Sequence, residues 1–407
     1  MSRVASEAGP QDVGARRVSA SMGAWPWFGD GERAAVDAVL ASGRVNYWTG
    51  REARLFENEY AAHLGVEHAI ALANGTVALE LALRTWRIGP GDEVVVSPRS
   101  FIASMSCAVL QGSRPVFADV DVDSGNITAE TIERVLTPRT RVVIPVHLAG
   151  WPCDMDPITS LAEQRGIRVL EDCAQANGAR YKAALAGSFG DAAAFSFCQD
   201  KIITTGGEGG MLVTRDEALW EKAWSFKDHG KTWNAVYERR HGPGFRWVHD
   251  RFGTNWRMTE MQAAIGRVQL AKVDAWVKMR RRHADILAER FRRLAALRVP
   301  VVPADVYHSY YKFYVYVREE VLKPGWTRDR IISAIVERGA PCFAGSCSEI
   351  YRERAFEGTG WRPTQPLPVA HTLGETSLMF LVHPTLSEEY LHQVCDVVED
   401  VVTQATA

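Results

Sequence analysis

The sequence predicts an α/β fold: a large domain with a mostly parallel seven-stranded sheet flanked by helices, and a smaller C-terminal α+β domain. Three observations carry this. Seven short runs are apolar at successive positions, as strands buried on both faces must be. Helical patterns separate most of them, and that alternation implies parallel pairing. After about residue 301 the alternation stops, and a β run mixes with helices. At 407 residues the chain also exceeds one typical domain. We expect a flexible polar tail over 1–24, the large domain over 25–272 and the small domain over 273–407.

Taken in order, the stretch Trp25-Pro26-Trp27-Phe28 leads into a helical pattern over 32–40 that Ser42-Gly43 ends. A loop over 46–50 precedes a second amphipathic helix over 52–64. The β runs fall at 68–73, 93–97, 115–119, 141–147, 168–171, 192–197 and 211–214. Helical patterns fall between them at 77–85, 102–111, 128–135 and 157–164. A long, Arg-rich helical stretch over 259–297 carries the chain out of the large domain. The small domain shows a β run at 313–317 and helices at 328–337 and 388–403.

Composition excludes several classes of function. A hydrophobic fraction of 46% and a charged fraction of 24% are those of an ordinary soluble protein. A net charge of -2 gives no ground for a nucleic-acid or membrane partner. No apolar run approaches the ~18 residues of a membrane span. The first twenty residues lack the apolar centre of a signal peptide. The seven cysteines are scattered and form no CxxC, so neither a disulfide framework nor a metal site is expected. A reducing cytoplasm is the simplest compartment.

Ligands of such sheets bind beyond the carboxyl ends of the strands, and the chemically distinctive residues fall there. Lys201 follows the run 192–197 and precedes a glycine-rich turn that holds Glu208. Burial at the end of that run disfavours an ammonium and leaves a nucleophilic amine, as a Schiff base requires. A solvated loop lysine is the plainer alternative. Asn74-Gly75-Thr76 joins the run 68–73 to a helix. Gly75 permits close approach, and the Thr76 hydroxyl with the free helix N–H groups suits a phosphate; an ordinary helix cap uses the same residues. Phe101 either stacks on a flat ring or packs in the core. Asp172, at the tip of a buried run, needs a partner: a protonated pyridine nitrogen or an arginine. Gln175 is placed to bond a ring hydroxyl, and Ser196 to join Thr76 on the phosphate. Together these meet four needs of one cofactor, pyridoxal 5′-phosphate: a lysine, an acid at the ring nitrogen, a ring platform and a phosphate cradle.

The series NGTVALELAL, RPVFADVD, PVHLAGWPCDMDPI, EDCAQANGA, GSFGDAAAFSF, Lys201 with GGEGG, DHG and NWRMTEMQAAIGRVQL appears in this order. It resembles the DegT/DnrJ/EryC1/StrS family, sugar aminotransferases of the aspartate-aminotransferase fold (fold type I), from about Trp27 to the C-terminus. The resemblance implies that Lys201 forms the Schiff base, Asp172 pairs with the pyridine nitrogen and Gln175 contacts the ring hydroxyl. It implies that Phe101 stacks on the ring and that Gly75, Thr76 and Ser196 hold the phosphate. It implies a homodimer with shared sites, in which Asn255 reaches the phosphate of the neighbouring subunit's cofactor. The activity expected is amino transfer from an amino acid, L-glutamate, to the keto group of a nucleotide-linked deoxysugar, with Lys201 as acid and base.

Four features depart from the family pattern. Cys198-Gln199-Asp200 stands where His-Pro-Thr is common, the run after Lys201 has one more glycine, Ala149 replaces an aromatic, and Lys312 replaces a histidine. They bear on the substrate pocket, to which we assign Trp48, Thr49, His147, Arg239, Lys312 and His371. Arg239, with Arg240 and His241, forms a basic Gly/Pro loop suited to a diphosphate; a solvated loop is equally open. Lysine at 201 argues against one dehydratase branch, and the lack of cysteines between Cys198 and Cys342 against an iron–sulfur one. A cyclitol or aminobenzoate precursor stays open as acceptor. A non-catalytic cofactor-binding regulator is the alternative of another class. A dinucleotide-binding protein is disfavoured, since no G-x-G-x-x-G follows the first strand.

Overall fold

The computed structural model describes residues 16–406. Two helices open it, α1 (Asp30–Ser42) and α2 (Glu52–Leu64), each closed by a left-handed glycine. Strand and helix then alternate: β1 (His68–Leu72), α3 (Gly75–Thr85), β2 (Glu93–Val96), α4 (Ala103–Leu110), β3 (Arg114–Phe117), α5 (Ala129–Glu133), β4 (Thr140–Ile144), α6 (Met155–Arg165) and β5 (Arg168–Asp172). A short hairpin, β6 (Arg180–Tyr181) and β7 (Ala184–Leu185), precedes β8 (Ala192–Ser196) and β9 (Gly210–Thr214).

Seven of these strands form one sheet in the order β1-β9-β8-β5-β4-β2-β3. Strand β9 runs antiparallel to β1 and β8, and the other pairs are parallel. The sheet is apolar because both its faces are covered. Val94 and Val96 face one core while Val95 faces the other, and Val142 and Val143 divide in the same way. Each predicted β run of the large domain is therefore a strand of this sheet.

The predicted helical stretch 259–297 is two helices. After α7 (Glu217–Lys227), α8 (Glu260–Leu270) starts at a capping box, in which Thr259 and Gln262 bond each other's backbone. It stops at Ala271, and α9 (Val273–Phe291) begins after Lys272. The break lets α8 pack on α1 and α2 while α9 reaches the small domain. Val273 and Val277 of α9 belong to the large-domain core, and Ala284, Leu287 and Phe291 to the second core.

That second core is built on β10 (Leu297–Arg298), β12 (Phe313–Val317) and β13 (Ser377–Phe380), which form an antiparallel sheet. The intervening β11 (Val306–Tyr307) pairs with β6 of the large domain. Helices α10 (Arg328–Glu337), α11 (Pro368–Thr376) and α12 (Glu388–Ala405) complete the element order. Of the expected tail, 1–15 lies outside the described residues. Residues 16–24 follow the small domain: Val18 N–H bonds the Arg338 carbonyl (3.0 Å), and Thr385 Oγ1 bonds the Ala24 carbonyl (2.9 Å).

Candidate active site

The carboxyl ends of β1, β2, β5 and β8 open into a cleft of about 860 Å³. Tyr311, Lys312, Phe343 and Ser346 line it from the small-domain side.

Lys201 stands in the loop from β8 to β9. Buried Phe197, Ile202 and Ile203 anchor that loop in the core. The Phe197 carbonyl accepts both the Thr205 N–H (3.2 Å) and the Thr204 hydroxyl (2.9 Å). Gly206 and Gly207 turn it at φ of 90° and 125°, which accounts for two adjacent glycines here. Lys201 Nζ lies 3.4 Å from Tyr311 Oη.

Opposite, Asn74 caps α3 by accepting the Val77 N–H (3.0 Å). A Cβ on Gly75 would stand 2.8 Å from Ser196 Cβ, so only glycine lets the start of α3 come this near to β8. Gly75, Thr76 and Ser196 thus share one wall of the cleft.

Asp172, the last residue of β5, is buried. It accepts hydrogen bonds from Ser104 Oγ (2.7 Å) and Ala174 N–H (3.0 Å). Among the described residues it makes no ion pair, so the arginine partner that the sequence left open is not there. Gln175 is also buried, and its Oε1 takes the N–H of Ala149 (2.7 Å), which sits at φ 56°. That bond leaves the Gln175 NH2 group as the donor on the cleft side. Phe101 is 68% exposed and lines the cleft, so it does not pack in the core.

Of the residues assigned to substrate, Lys312 reaches the cleft, with Nζ 3.6 Å from Asp200 Oδ2. Burial, Arg280 and Lys201 lower its proton affinity, and Asp200 opposes them. His147 is corrected: it is fully buried and faces no cleft. Its Nδ1 accepts the Cys153 N–H (2.9 Å), so its proton sits on Nε2 and goes to Glu171 Oε2 (2.9 Å). Glu171 also takes the N–H groups of Gly187, Phe189 and Gly190. His147, Glu171 and Cys173 lie close enough for a metal ion, but these hydrogen bonds already satisfy the carboxylate.

The other four lie away from this chain's own cleft. Trp48 packs on Tyr47 and Trp224, under Lys231 Nζ. The Thr49 hydroxyl bonds the Asn46 carbonyl (3.2 Å). Arg239 pairs with Asp250 (3.3 Å), and His371 with Glu349 (2.9 Å). Asn255 is exposed and also lies outside the cleft wall. Sequence reasoning missed Ser104, Asp200 and Tyr311. Ser104 follows Phe101 by three residues, a helical spacing that puts both on one side of α4's start, and that signal was available.

A sequence model described as the DegT/DnrJ/EryC1/StrS aminotransferase family matches residues 28–399. The chain belongs to this family. Solved relatives share the fold type I arrangement that the resemblance implied. An aminotransferase structure from Psychrobacter cryohalolentis is 53% identical, covers 94% of this chain and 99% of its own, and superposes with a TM-score of 0.92. The structure of 3-amino-5-hydroxybenzoic acid synthase is 31% identical, covers 96% of this chain and 100% of its own, and gives a TM-score of 0.83. GDP-perosamine synthase of Escherichia coli O157:H7 is 33% identical over 90% of this chain and 93% of its own length. The DegT-family member described here is accordingly an aminotransferase.

Proposed function

We propose that this aminotransferase holds pyridoxal 5′-phosphate in the cleft and moves the amino group of L-glutamate onto a keto group of a nucleotide-linked deoxysugar, in amino-sugar or polysaccharide biosynthesis. The convergence on one cleft of Lys201 and a buried Asp172 that makes no ion pair among the described residues carries this reading. The rest of the wall fits the same group. The Gly75–Ser196 approach leaves a cradle that a Cβ would fill, and Phe101 offers an uncovered ring. Bound there, the cofactor supplies an aldehyde for imine exchange and a ring that withdraws electrons.

The chain's own residues do the rest. Lys201 Nζ is the attachment point and the base that takes the proton from the donor's Cα. Asp172 keeps the ring nitrogen protonated, Gln175 orients the ring hydroxyl, and Thr76, Ser196 and the first N–H groups of α3 hold the phosphate. Relatives named for GDP-perosamine and for UDP-N-acetyl-3-dehydro-glucosamine support the nucleotide-sugar class. All seven cysteines are free, which fits a reducing cytoplasm. A homodimer with Asn255 serving the neighbouring cofactor fits that residue's exposed place outside its own cleft.

The relative that makes 3-amino-5-hydroxybenzoate favours a second reading, a cyclic keto precursor as acceptor. One experiment separates them. The purified, cofactor-loaded protein is given glutamate with a panel of keto-sugar nucleotides and a keto-cyclitol, and amine products are read by mass spectrometry. An aminated sugar nucleotide is the expected product. A colourless protein that aminates none of them would overturn the proposal.

A further inference from the structure

The chemistry around Lys201 extends beyond the cofactor set. Asp200 precedes it, and the Asp200 carboxylate accepts the Tyr311 hydroxyl. With its hydrogen committed there, the Tyr311 oxygen offers a lone pair to Lys201 Nζ at 3.4 Å. Lys312 Nζ stands 3.6 Å from the same carboxylate, and both lysine nitrogens lie 4.7 Å from the centre of the Tyr311 ring. Behind them, buried Arg280 on α9 donates to the Tyr311 carbonyl (3.3 Å), and His383 follows β13. Asp172 of β5 and Glu208 of the glycine turn line the same cleft. The acid and the lysine are also held as one unit, because the Trp25 indole N–H bonds the carbonyls of Asp200 (3.3 Å) and Lys201 (3.2 Å).

The electrostatics agree with the geometry. Burial alone would raise Asp200 above the ordinary carboxyl value of 3.8, but the charge of Lys201, the Tyr311 hydroxyl and the charge of Lys312 outweigh it and hold it lower. The same carboxylate favours the charged form of Lys312, against burial, Arg280 and Lys201.

We propose that Asp200 and Tyr311 act as a dyad on Lys201, in which Tyr311 Oη orients the amine while Asp200 fixes the phenol and supplies the negative charge that retains a proton on Nζ. This rests on Lys201 being the reacting amine, as proposed above. When Lys201 takes a proton from the donor's Cα, Nζ gains one N–H bond and one positive charge, and the carbon side keeps the electron pair. Tyr311 accepts that N–H, while its own hydrogen stays directed at Asp200. The dyad holds the charge without taking the proton. Tyr311 touches the reacting atom and is a catalytic residue; Asp200 acts largely through it and is a positioning residue.

The test reads Lys201 directly. The cofactor-free protein is labelled with an amine-selective acetylating reagent across a pH series, and the Lys201 peptide is followed by mass spectrometry. Asp200→Asn should move the half-labelling pH down, since it removes the negative charge that interacts with Lys201 and holds the Tyr311 hydroxyl. Tyr311→Phe should move it the same way by less. The double variant should go no lower than Asp200→Asn, since coupled residues are not additive. Asp200→Glu keeps the charge and should restore the wild-type value. In the loaded enzyme the pH midpoint of the visible band should follow, and kcat should fall while KM for the donor holds. Folded variants that label with wild-type pH dependence overturn the dyad while leaving the proposed function intact. A wild-type protein with no visible band and no cofactor on Lys201 overturns both.

Discussion

Asp172 is a buried carboxylate that draws its hydrogen bonds from a serine and a backbone N–H. An ionised carboxyl so placed is costly unless a cation joins it, and a protonated ring nitrogen is such a cation. Asp172→Asn keeps the shape but loses the charge. We expect kcat to fall by about tenfold to about a hundredfold, since a hydrogen bond to a charged group contributes roughly 1.5–3 kcal/mol and ~1.4 kcal/mol is a factor of ten. Steady-state rates with glutamate check this, and a variant within about twofold of wild type would leave Asp172 without its role. At this scale Lys201, Asp172 and Phe101 were legible because each is a chemically specific residue at a strand end. Tyr311 was not, because its contact with residue 201 spans a separation that leaves no local pattern. His147 was misread for a related reason. Its place after β4 was visible, but the direction of its ring was set by Glu171 and the Cys153 backbone.

At the scale of elements, the site depends on how close α3 comes to β8. Gly75→Ala would put Cβ 2.8 Å from Ser196 Cβ and 3.1 Å from the Phe195 carbonyl, so the helix start must retreat. The N–H groups that we propose hold the phosphate retreat with it. Cofactor affinity should weaken by about tenfold or more, given how steeply misplacement is felt at a site. The cofactor-free protein should also melt lower than wild type, because the atoms met are a Cβ and backbone that cannot swing aside. Titration with pyridoxal phosphate and a melting curve give the two readings, and unchanged affinity would remove the cradle from α3. The neighbouring strand end carries a pH dependence. Burial pushes the Glu171 carboxyl up, but His147 and the N–H groups of Gly190 and Gly187 more than offset it and hold it below its ordinary 4.5. Its folded value is thus depressed, so its stabilisation is present above about pH 4.5 and is lost as pH falls through the folded value. Glu171→Gln should melt lower at pH 7 and lose less on going to pH 4, as calorimetry at the two pH values would show. An equally steep acid loss in the variant would place the effect elsewhere. The strands were legible because burial on both faces writes itself as continuous apolar runs. The break between α8 and α9 was not, since residues 271–272 are Ala-Lys and neither glycine nor proline marks the turn.

Across the whole molecule, α9 and the segment 16–29 tie the two cores together at the lysine loop. Trp25 packs against Trp276 and Arg280 of α9 and against His383 of the small domain, while its N–H holds the Asp200 and Lys201 carbonyls. On another side, the segment that ends at Asn255 exposes aromatic side chains that a lone chain leaves in water, Trp247 at 79% and Phe252 at 100%. A second copy is the cover our proposal requires, and it assigns Asn255 to the neighbouring subunit's cofactor. The two parts can be tested together. A Lys201→Ala chain and an Asn255→Ala chain are each expected to be weak at limiting cofactor. When they are refolded together, every hybrid dimer contains one site with both defects and one with neither, provided that Asn255 acts across the interface. Half of the dimers are hybrids and half of their sites are intact, so about a quarter of wild-type activity should return. If Asn255 served its own chain, each hybrid site would keep one defect and mixing would restore nothing. Sedimentation of the wild type at twice the chain mass of 45.2 kDa is the companion measurement. A monomeric active enzyme would sink the shared site.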